Sequence, residues 1–372
     1  MRPVISDYVL EVTKDGVARA GGAPRHNRWH PDIRPGVRIQ PGQTVEMETV
    51  DALDGQIRRG MTSEDLVTLD VGRVHPLTGP VYIEGAEPGD LLDVHILKID
   101  SAPAAFTATF PGRGLLPDLV PGPLLVHWDL ADGFATSEQI PGVRIPGAPF
   151  MGTIGVAPSL VRLRQVNERE KALAQTGVLV MPPRIASAIP SDESIAREGW
   201  RTAAAHEVGG NMDIRQLVEG STVTFPVDVP GALFSAGDGH FTQGDGETCG
   251  TAMEMSARVT VQFELRKGAA LERGQTNPTF AAPPAAQSRR EGGYFATTGL
   301  SVSEDGHVSY LDASLAAKNA LIMMVKALEY DHGLTRDQAY IVASVAADLK
   351  ISSIVNVPHA QVSMTIPLDI FV

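Results

Sequence analysis

The sequence predicts a mainly β protein, with a β-sandwich or barrel body and a small C-terminal α+β subdomain. Glycine and proline are frequent, at 37 and 27 of 372 residues, and both favour turns over long helices. Short segments with apolar residues at every second position recur before residue 266, where helical patterns are limited to a polar patch at 62–69 and a short helix or loop at 191–206, whereas longer helical patterns appear near the C-terminus. We therefore expect a β-rich body at 1–266, a linker or surface excursion at 267–290, and an α+β subdomain at 291–372.

Strands and turns are expected through the first part of the chain. Alternating residues predict a strand at 45–49 that leads into an acidic segment at 51–56, and further strands at 81–84 and 91–99. Residues 101–127 are apolar but interrupted by proline and glycine, so we expect a long ordered loop there, either a lid or part of a subunit contact. Residues 159–207 have no pattern that predicts a definite element.

A glycine-rich polar loop at 234–250 is the strongest candidate for a functional site. It carries Asp238, His240 and Glu247 among five glycines, and a strand with clear alternation is predicted after it, at 253–265. Carboxylates and an imidazole can bind a metal ion or act as general acid and base. Asp-Gly sequences are also typical of hairpin turns, so an elaborate turn is the alternative.

Two helices and a pair of strands are predicted near the C-terminus. Asp312 can cap the first helix, and Thr335 with Gln338 forms a capping-box pattern for the second. The helices are expected at 314–330 and 335–350, and the strands at 351–357 and 360–366.

Charge and cysteine content exclude several classes of protein. The net charge is −13 and basic residues form no run, which argues against nucleic acid and anionic membranes as partners. No apolar stretch approaches the roughly 18 residues of a membrane span, and the first residues lack the apolar core of a signal peptide. A single cysteine, Cys249, cannot form an internal disulfide. We therefore expect a cytoplasmic protein.

Five motifs stand in the same order as in a known family. They are Asp51–Gln56, His75–Asp90, Gly209–Asp213, Gly237–Glu247 and Asp331–Tyr340. Together they resemble the acetamidase/formamidase family, from about His26 to the C-terminus. The resemblance implies hydrolysis of a small amide, similar to formamide or acetamide or cyclic like a γ-lactam. It also implies a β-rich body with a small α+β part, assembled as a homodimer or larger homo-oligomer.

Amide hydrolysis needs an activated nucleophile, a stabilised oxyanion and a proton for the leaving nitrogen. The first hypothesis is a divalent metal, zinc, which lowers the pKa of water toward about 7 and polarises the carbonyl, while Glu247 transfers the proton. The expected ligands of this metal are Asp51, His75, Asp238 and His240, with Asp54 in reserve. Residues expected to bind the amide or to support the ligands are Asn211, Asp213 and Gln243.

Two alternatives remain open. Cys249, close to Glu247, could be a covalent nucleophile, although a lone cysteine is more often a small core residue. A non-enzymatic β-sandwich that binds Ca²⁺ or sugar would also suit Asp-Gly loops and acidic charge, but aromatic residues, which stack on sugars, make up only 5% of the chain. Assays for amide hydrolysis, with and without a chelator, would separate these classes.

Overall fold

A computed structural model describes residues 6–12, 25–284 and 293–372. The described strands are β1 (Tyr8–Leu10), β2 (Arg25–His26), β3 (Arg28–Trp29), β4 (Val37–Ile39), β5 (Thr44–Thr49), β6 (Leu77–Ile83), β7 (Leu91–Ser101), β8 (Ala104–Thr109), β9 (Leu124–Ala131), β10 (Phe134–Thr136), β11 (Arg144–Pro146), β12 (Phe150–Gly155), β13 (Trp200–Arg201), β14 (Ala205–His206), β15 (Gly209–Asn211), β16 (Thr222–Pro226), β17 (Phe234–His240), β18 (Glu254–Met255), β19 (Ala257–Arg266), β20 (Thr279–Ala281), β21 (Tyr294–Leu300), β22 (Asp348–Ser353) and β23 (Gln361–Pro367). The described α-helices are α1 (Leu160–Ala174), α2 (Glu193–Glu198), α3 (Ala269–Arg273), α4 (Ala313–His332) and α5 (Arg336–Ala346). Short 3-10 helices include Ser63–Thr68, Val71–Arg73 and Leu368–Ile370.

Two large sheets make up most of the described fold. The smaller has the strand order β1-β5-β19-β7-β16-β20. The larger runs β11-β10-β9-β8-β18-β17-β12-β15-β14, and β6 joins it by pairing with β17, β2 and β4. Because β17 pairs with β6, β12 and β18, it lies deep inside the larger sheet, with neighbours along its whole length.

The two sheets pack against each other through an apolar core. The ring centroid of Phe234 on β17 lies 5.1 Å from that of Phe263 on β19, in an edge-to-face contact, and 6.3 Å from that of Phe225 on β16. All three rings are fully buried. The core therefore joins one large sheet to the other, and the predicted strand-rich fold class is confirmed.

The strand predicted at 253–265 divides between the two sheets. Glu254 and Met255 form β18, which pairs with β17 and β8, whereas β19 begins at Ala257 and pairs with β5 and β7. The alternating pattern assigned Glu254 to a polar face, yet its side chain is only 2% exposed. The prediction of one continuous strand was wrong because alternation gives the faces of a strand and not the sheet to which it belongs.

The loop predicted at 101–127 is shorter in the structure. Its two ends belong to β8 and β9, so only residues 110–123 form a loop. The hydroxyl of Tyr340 anchors this loop, since it accepts hydrogen bonds from the backbone N–H groups of Leu115 (3.1 Å) and Leu116 (3.2 Å). It donates in turn to the carbonyl oxygen of Thr248, at 2.6 Å, within the polar loop.

Helix α1 is an element that the sequence pattern does not predict. Its N-cap is Ser159, whose hydroxyl accepts from the backbone N–H of Arg162 at 3.3 Å. Only Leu163 and Val166 are buried along its fifteen residues. Two buried positions are too few to produce a recognisable apolar stripe.

The predicted caps of the C-terminal helices are confirmed. The Asp312 side chain accepts from the first backbone N–H groups of α4, and Thr335 with Gln338 forms the capping box of α5. Helix α5 ends at Ala346 rather than near residue 350, because β22 begins at Asp348. Strands β21, β23 and β22 form a three-stranded sheet that packs on α4.

The predicted linker at 267–290 contains regular structure where it is described. Helix α3 lies within it, and β20 pairs with β16 at the edge of the smaller sheet. Residues 285–292, with 1–5 and 13–24, lie outside the described residues, so the boundaries at 266 and 290 stay a prediction. Within the described chain, none of the helices combines the length and the apolar character that crossing a membrane requires.

Candidate active site

Strand β17 brings Asp238 and His240 into the interior of the larger sheet. Gly237 precedes this pair, and a Cβ at that position would collide with the carbonyl oxygen of Pro76 on the neighbouring chain segment. The missing side chain lets the two backbones approach closely. His75, the residue before Pro76, therefore lies beside Asp238, with 3.8 Å between its Nδ1 and Oδ2.

Asp238, His240 and Glu254 form a group that we call the inner triad. The Nε2 atom of His240 lies 3.3 Å from Oδ1 of Asp238 and 3.2 Å from Oε2 of Glu254. All three side chains are buried, and their ligand atoms lie within 4.8 Å of one another. The triad joins two adjacent strands, since β17 supplies two of its members and β18 the third.

Asp213 and Glu247 approach the same imidazole, and we call them the outer pair. Their carboxylate oxygens and a ring nitrogen of His240 also lie within 4.8 Å of one another. Unlike the inner triad, both residues are partly exposed. Gln243 supports the pair, because its Nε2 donates to the carbonyl oxygen of Asp213 at 2.9 Å. The outer pair therefore lies nearer the surface than the inner triad.

Gly152 on β12 leaves the space into which these side chains point. A Cβ at this position would lie 2.6 Å from Cε1 of His240, 2.7 Å from Oδ1 of Asp213 and 2.8 Å from Oδ2 of Asp238. Such distances are shorter than non-bonded contacts allow. Any other residue at position 152 would displace the functional groups or be displaced by them.

The neighbour of Gly152, Thr153, connects Asp238 to Asn211. Its Oγ1 lies 3.0 Å from Oδ2 of Asp238 and 2.8 Å from Oδ1 of Asn211. Because the hydroxyl has one proton, it donates to one of these oxygens at a time. The β12–β15 pairing brings Thr153 and Asn211 opposite each other, which fixes this arrangement.

Three of the acidic residues have a left-handed backbone. The φ angles of Asp213, Asp238 and Glu247 are 49°, 59° and 43°. This region is unfavourable for residues with a Cβ, at about 1–3 kcal/mol each, and such residues persist only where the surrounding structure imposes the conformation. The fold therefore holds these carboxylates in place against their own backbone preference.

Burial and like charge raise the pKa of several carboxyl groups in the site. Burial raises the pKa of Glu247 to about 8, although part of its side chain reaches the surface, and that of Glu254 to about 7. Burial, together with the charge of Glu247, raises the pKa of Asp213 well above its ordinary value. Each of these groups is therefore easier to protonate than an exposed carboxyl.

The two members of the inner triad on β17, Asp238 and His240, behave differently because each stabilises the charge of the other. Burial alone would raise the pKa of Asp238, but the imidazoles of His75 and His240 outweigh burial and hold it below its ordinary value. Burial would likewise lower the pKa of His240, but Glu254 and Asp238 outweigh it and hold the pKa well above the ordinary value. The imidazole of His240 therefore carries a positive charge. This single charge does not balance the negative charges of the carboxylates around it.

The site has the donors that a divalent cation requires. Oε2 of Glu254, in the inner triad, is buried without a hydrogen-bond partner among the described residues, and so are Nδ1 of His240 and Oδ1 of Asp213. Carboxylate oxygens and imidazole nitrogens are the ligands of catalytic zinc and related metals. Because these atoms converge and carry excess negative charge, the residues of the site fit a divalent metal ion.

Asp51 and Asp54 lie outside both groups. The sequence suggested Asp51 as a metal ligand and Asp54 as a reserve ligand. Oδ1 of Asp51 accepts from the backbone N–H groups of Leu53 (2.9 Å) and Gly55 (3.2 Å), and burial raises the pKa of its carboxyl to about 6. Asp54 is buried in ion pairs with Arg25 and Arg73. Asp51 is therefore engaged in its own turn, whereas Asp54 is engaged in ion pairs with arginines outside the turn.

The other predicted residues converge, and the structure adds some that the sequence did not indicate. The predicted residues in or beside the inner triad and the outer pair are His75, Asn211, Asp213, Asp238, His240, Gln243 and Glu247. The additional residues are Gly152, Thr153 and Glu254. The sequence did not indicate Glu254 because its position on the polar side of an alternating strand predicted an exposed side chain.

Cys249, near the end of the polar loop, is fully buried. Its thiol donates to the carbonyl oxygen of Thr251, at 3.4 Å, and burial raises its pKa to about 11. A nucleophilic cysteine needs the opposite shift, because the thiolate is the reactive form. The surroundings of Cys249 therefore favour a structural role.

Comparison with known proteins gives consistent matches over nearly the whole chain. Residues 11–372 match the model of the acetamidase/formamidase family. A formamidase of Methylophilus methylotrophus is 36% identical over 366 residues, which cover 93% of this chain and 89% of that protein. An acetamidase of Mycolicibacterium smegmatis is 35% identical over 364 residues, covering 90% and 89%. A solved structure, the γ-lactamase from Delftia acidovorans, has a TM-score of 0.88 and 37% identity, with 93% of this chain and 89% of that chain covered.

Proposed function

The chain belongs to the acetamidase/formamidase family and is an amidohydrolase of non-peptide carbon–nitrogen bonds, and we propose that it hydrolyses a small amide at the inner triad and outer pair. Its relatives are named formamidase, acetamidase and γ-lactamase, so the candidate substrates are formamide, acetamide and a γ-lactam. The observation that carries the proposal is the convergence of both groups on the single buried imidazole of His240.

We propose that Asp238, His240 and Glu254 hold a divalent metal ion, zinc, with His75 at the edge of the site. The complete burial of these three side chains supports this assignment, since a metal held there is protected from solvent on the protein side. A zinc ion in such a site lowers the pKa of water and polarises a carbonyl group. Asp51 is not among the proposed ligands, because its Oδ1 already accepts two backbone hydrogen bonds.

Glu247 is the proposed general acid and base. The residue is not completely buried, and its pKa of about 8 lies close to neutral pH, where one group can both accept and release a proton. In this proposal, Glu247 takes a proton from the attacking water and delivers it to the leaving nitrogen. Asn211, which is also partly exposed, is the proposed hydrogen-bonding partner of the amide, while Gln243 fixes Asp213.

Amide hydrolysis and metal content, measured on the same preparation, test this function. Purified protein is analysed for bound metal and incubated with formamide, acetamide and a γ-lactam, while ammonia or ring-opened product is measured. We expect turnover of at least one amide, loss of turnover after stringent removal of metal, and recovery when zinc is added back. Absence of turnover in metal-replete protein on all three amides would contradict the proposed substrate class.

Replacing Glu247 tests the proton-transfer step separately. Glu247→Gln keeps the shape of the side chain but cannot accept a proton, so we expect kcat to fall by roughly 10²–10⁴-fold with metal content unchanged. Glu84→Gln is a matched control, because Glu84 is a partly exposed partner of Arg38 at the surface. A Glu247→Gln protein that keeps full activity would remove Glu247 from the mechanism while leaving the substrate class intact.

Assembly and location are further parts of the proposal. We propose a homodimer or larger homo-oligomer, which is supported by large apolar side chains exposed on the C-terminal sheet, such as Tyr294, Phe295 and Ile351. Light scattering coupled to size-exclusion chromatography measures the mass directly. The cytoplasm is the proposed location, because the chain has one cysteine, which is buried as a free thiol.

A further inference from the structure

A second polar site, outside the proposed metal centre, contains several arginines without acidic partners. Its members are Arg28, Arg113, Arg184 and Arg201, which we call the arginine cluster. Among the described residues, no carboxylate oxygen lies within the 4.0 Å that defines an ion pair for any of them. Positive charges brought together without counter-charges are unusual in a protein whose net charge is −13.

Two guanidinium groups of the cluster are anchored by backbone carbonyls and keep unpaired donors. Nη2 of Arg201 donates to the carbonyl oxygen of Val71 at 2.8 Å, and Nη1 of Arg28 donates to that of Asn27 at 2.7 Å. The Nε atoms of both arginines are buried without a hydrogen-bond partner among the described residues. Carbonyl oxygens orient these groups but do not neutralise their charge.

The arginines repel one another. Burial first, and then the charges of Arg201 and Arg184, lower the pKa of Arg28 to about 10. Burial, followed by the charges of Arg184 and Arg113, also lowers the pKa of Arg201, and the charge of Asp70 offsets this only in part. The cluster is therefore electrostatically unfavourable as it stands, and a bound anion would relieve the repulsion.

The acidic groups around the cluster are committed elsewhere. Oδ2 of Asp70 accepts from the hydroxyl of Ser187 at 2.6 Å, and its Oδ1 accepts from the backbone N–H of Gly72 at 2.9 Å. Glu170 lies on the cavity wall, but its carboxylate faces Nε2 of His206 at 3.7 Å. Neither carboxylate pairs directly with a guanidinium group of the cluster, although the charge of Asp70 acts on Arg184 and Arg201 from a greater distance.

A cavity of about 290 Å³ opens at the cluster. Arg113 and Arg201 line it, with Trp200 and Leu179 among its apolar walls. Thr202, the next residue after Arg201, contacts His75 through its carbonyl oxygen, 3.2 Å from Nδ1. The cavity thus shares the 201–204 segment with the residues that surround the inner triad.

We propose that this cavity binds the carboxylate group of a small anionic molecule. Guanidinium groups recognise carboxylates through paired hydrogen bonds, and the apolar walls suit a short carbon chain. The molecule is either an amide substrate that also carries a carboxylate or the carboxylate product that hydrolysis releases. The choice of a carboxylate rests on the proposed function, whereas the need for an anion rests on the arginines themselves.

Binding of simple carboxylates decides the proposal. Acetate, succinate and the half-amide succinamate are titrated into the intact protein by calorimetry, with chloride keeping the ionic strength constant. We expect saturable binding, weakened roughly tenfold or more in Arg201→Gln and in Arg113→Gln, since each loses charge-assisted hydrogen bonds. Arg144→Gln, which removes a distant exposed arginine that stacks on Phe134, is the matched control and should bind like the unmodified protein.

Kinetics separate the two sources of the carboxylate. If it belongs to the substrate, the ratio of kcat/KM for succinamate to that for acetamide falls roughly tenfold or more in Arg201→Gln. If it belongs to the product, that ratio is unchanged and inhibition by acetate weakens. No binding at millimolar concentration, or equal binding by the unmodified protein and both glutamine variants, would overturn the site. Failure of acetamide hydrolysis with carboxylate binding intact would instead count against the proposed function alone.

Discussion

His240 is the residue on which the geometry of the site depends. Its ring belongs to the inner triad and also to the group that contains the outer pair, so its position couples buried and accessible carboxylates. The ring packs edge to face on Phe150, with centroids 4.9 Å apart, which restricts its rotation. Small changes next to this ring are therefore expected to alter the whole site.

Replacing Gly152 by alanine tests this dependence. The new methyl group would overlap His240, Asp213 and Asp238, so we expect kcat/KM for the preferred amide to fall by roughly 100-fold or more. Bound metal should fall as well, while circular dichroism stays unchanged. Gly122→Ala is the control, because a Cβ at Gly122 meets no atom within 4 Å. Normal activity in Gly152→Ala would mean that the three side chains are not fixed as described.

Replacing Cys249, in contrast to replacing Gly152, is expected to leave activity nearly unchanged. Because its thiol is buried and its pKa is raised to about 11, Cys249→Ala should keep activity within about twofold. The loss of buried volume should lower the free energy of unfolding by about 1 kcal/mol, measured by urea denaturation. A folded Cys249→Ala protein without activity would favour the covalent mechanism instead.

Residue types and glycine content indicated much of the candidate site but not its full composition. Asp238, His240 and Glu247 could be identified because chemically capable side chains lie close together in one glycine-rich segment. Glu254 could not, since a buried carboxylate on a strand looks the same in sequence as an exposed one. Asp51 had the appropriate chemistry, but its Oδ1 closes a local turn.

At the level of secondary structure, helix ends were easier to predict than sheet membership. The caps at Asp312 and Thr335 depend on hydrogen bonds between residues close in sequence, so local patterns reveal them. Helix α1 has an N-cap but buries too little apolar surface for its period to be recognised. Strands β18 and β19 belong to different sheets because they pair with different strands that are distant in sequence. The local alternation of apolar and polar residues contains no information about those partners.

The capping box of α5 can be tested directly. Thr335→Ala removes the hydroxyl that accepts from the backbone N–H of Gln338, so the free energy of unfolding should fall by about 1 kcal/mol. Ser314→Ala, at an exposed position in the first turn of α4, should change it by less than about 0.5 kcal/mol. Urea denaturation of both variants measures the difference. Equal effects would show that the capping bond is not stabilising.

For the molecule as a whole, buried neutral histidines predict sensitivity to mild acid. His26 is buried with its Nδ1 bonded to the carbonyl oxygen of Arg28 (2.8 Å) and its Nε2 to the hydroxyl of Ser235 (2.9 Å). Burial lowers its pKa from 6.5 to about 4. Between these values the unfolded chain binds a proton that the folded chain excludes, so stability is complete above pH 6.5 and falls as the pH drops toward 4.

The contribution of His26 should be roughly 2 kcal/mol between pH 7 and pH 5. Urea denaturation at the two values gives the decrease in unfolding free energy for the unmodified protein and for His26→Gln. We expect a smaller decrease in the variant, because glutamine does not titrate. His307→Gln, at an exposed position, should leave the decrease unchanged. If His26→Gln also leaves it unchanged, the neutral state of His26 is not a source of the pH dependence.

The central position of β17 also bears on how substrate preference could be altered. The proposed chemistry lies on a strand with neighbours along its length, whereas the cavity at the arginine cluster is lined in part by connecting segments such as the one that holds Arg113. A library of variants aimed at new amides should therefore diversify residues 110–113 and 179–183 and leave 234–240 untouched. Selection from such a library would change which molecules bind in the cavity, while the residues on β17 that are proposed to cleave the amide stay the same.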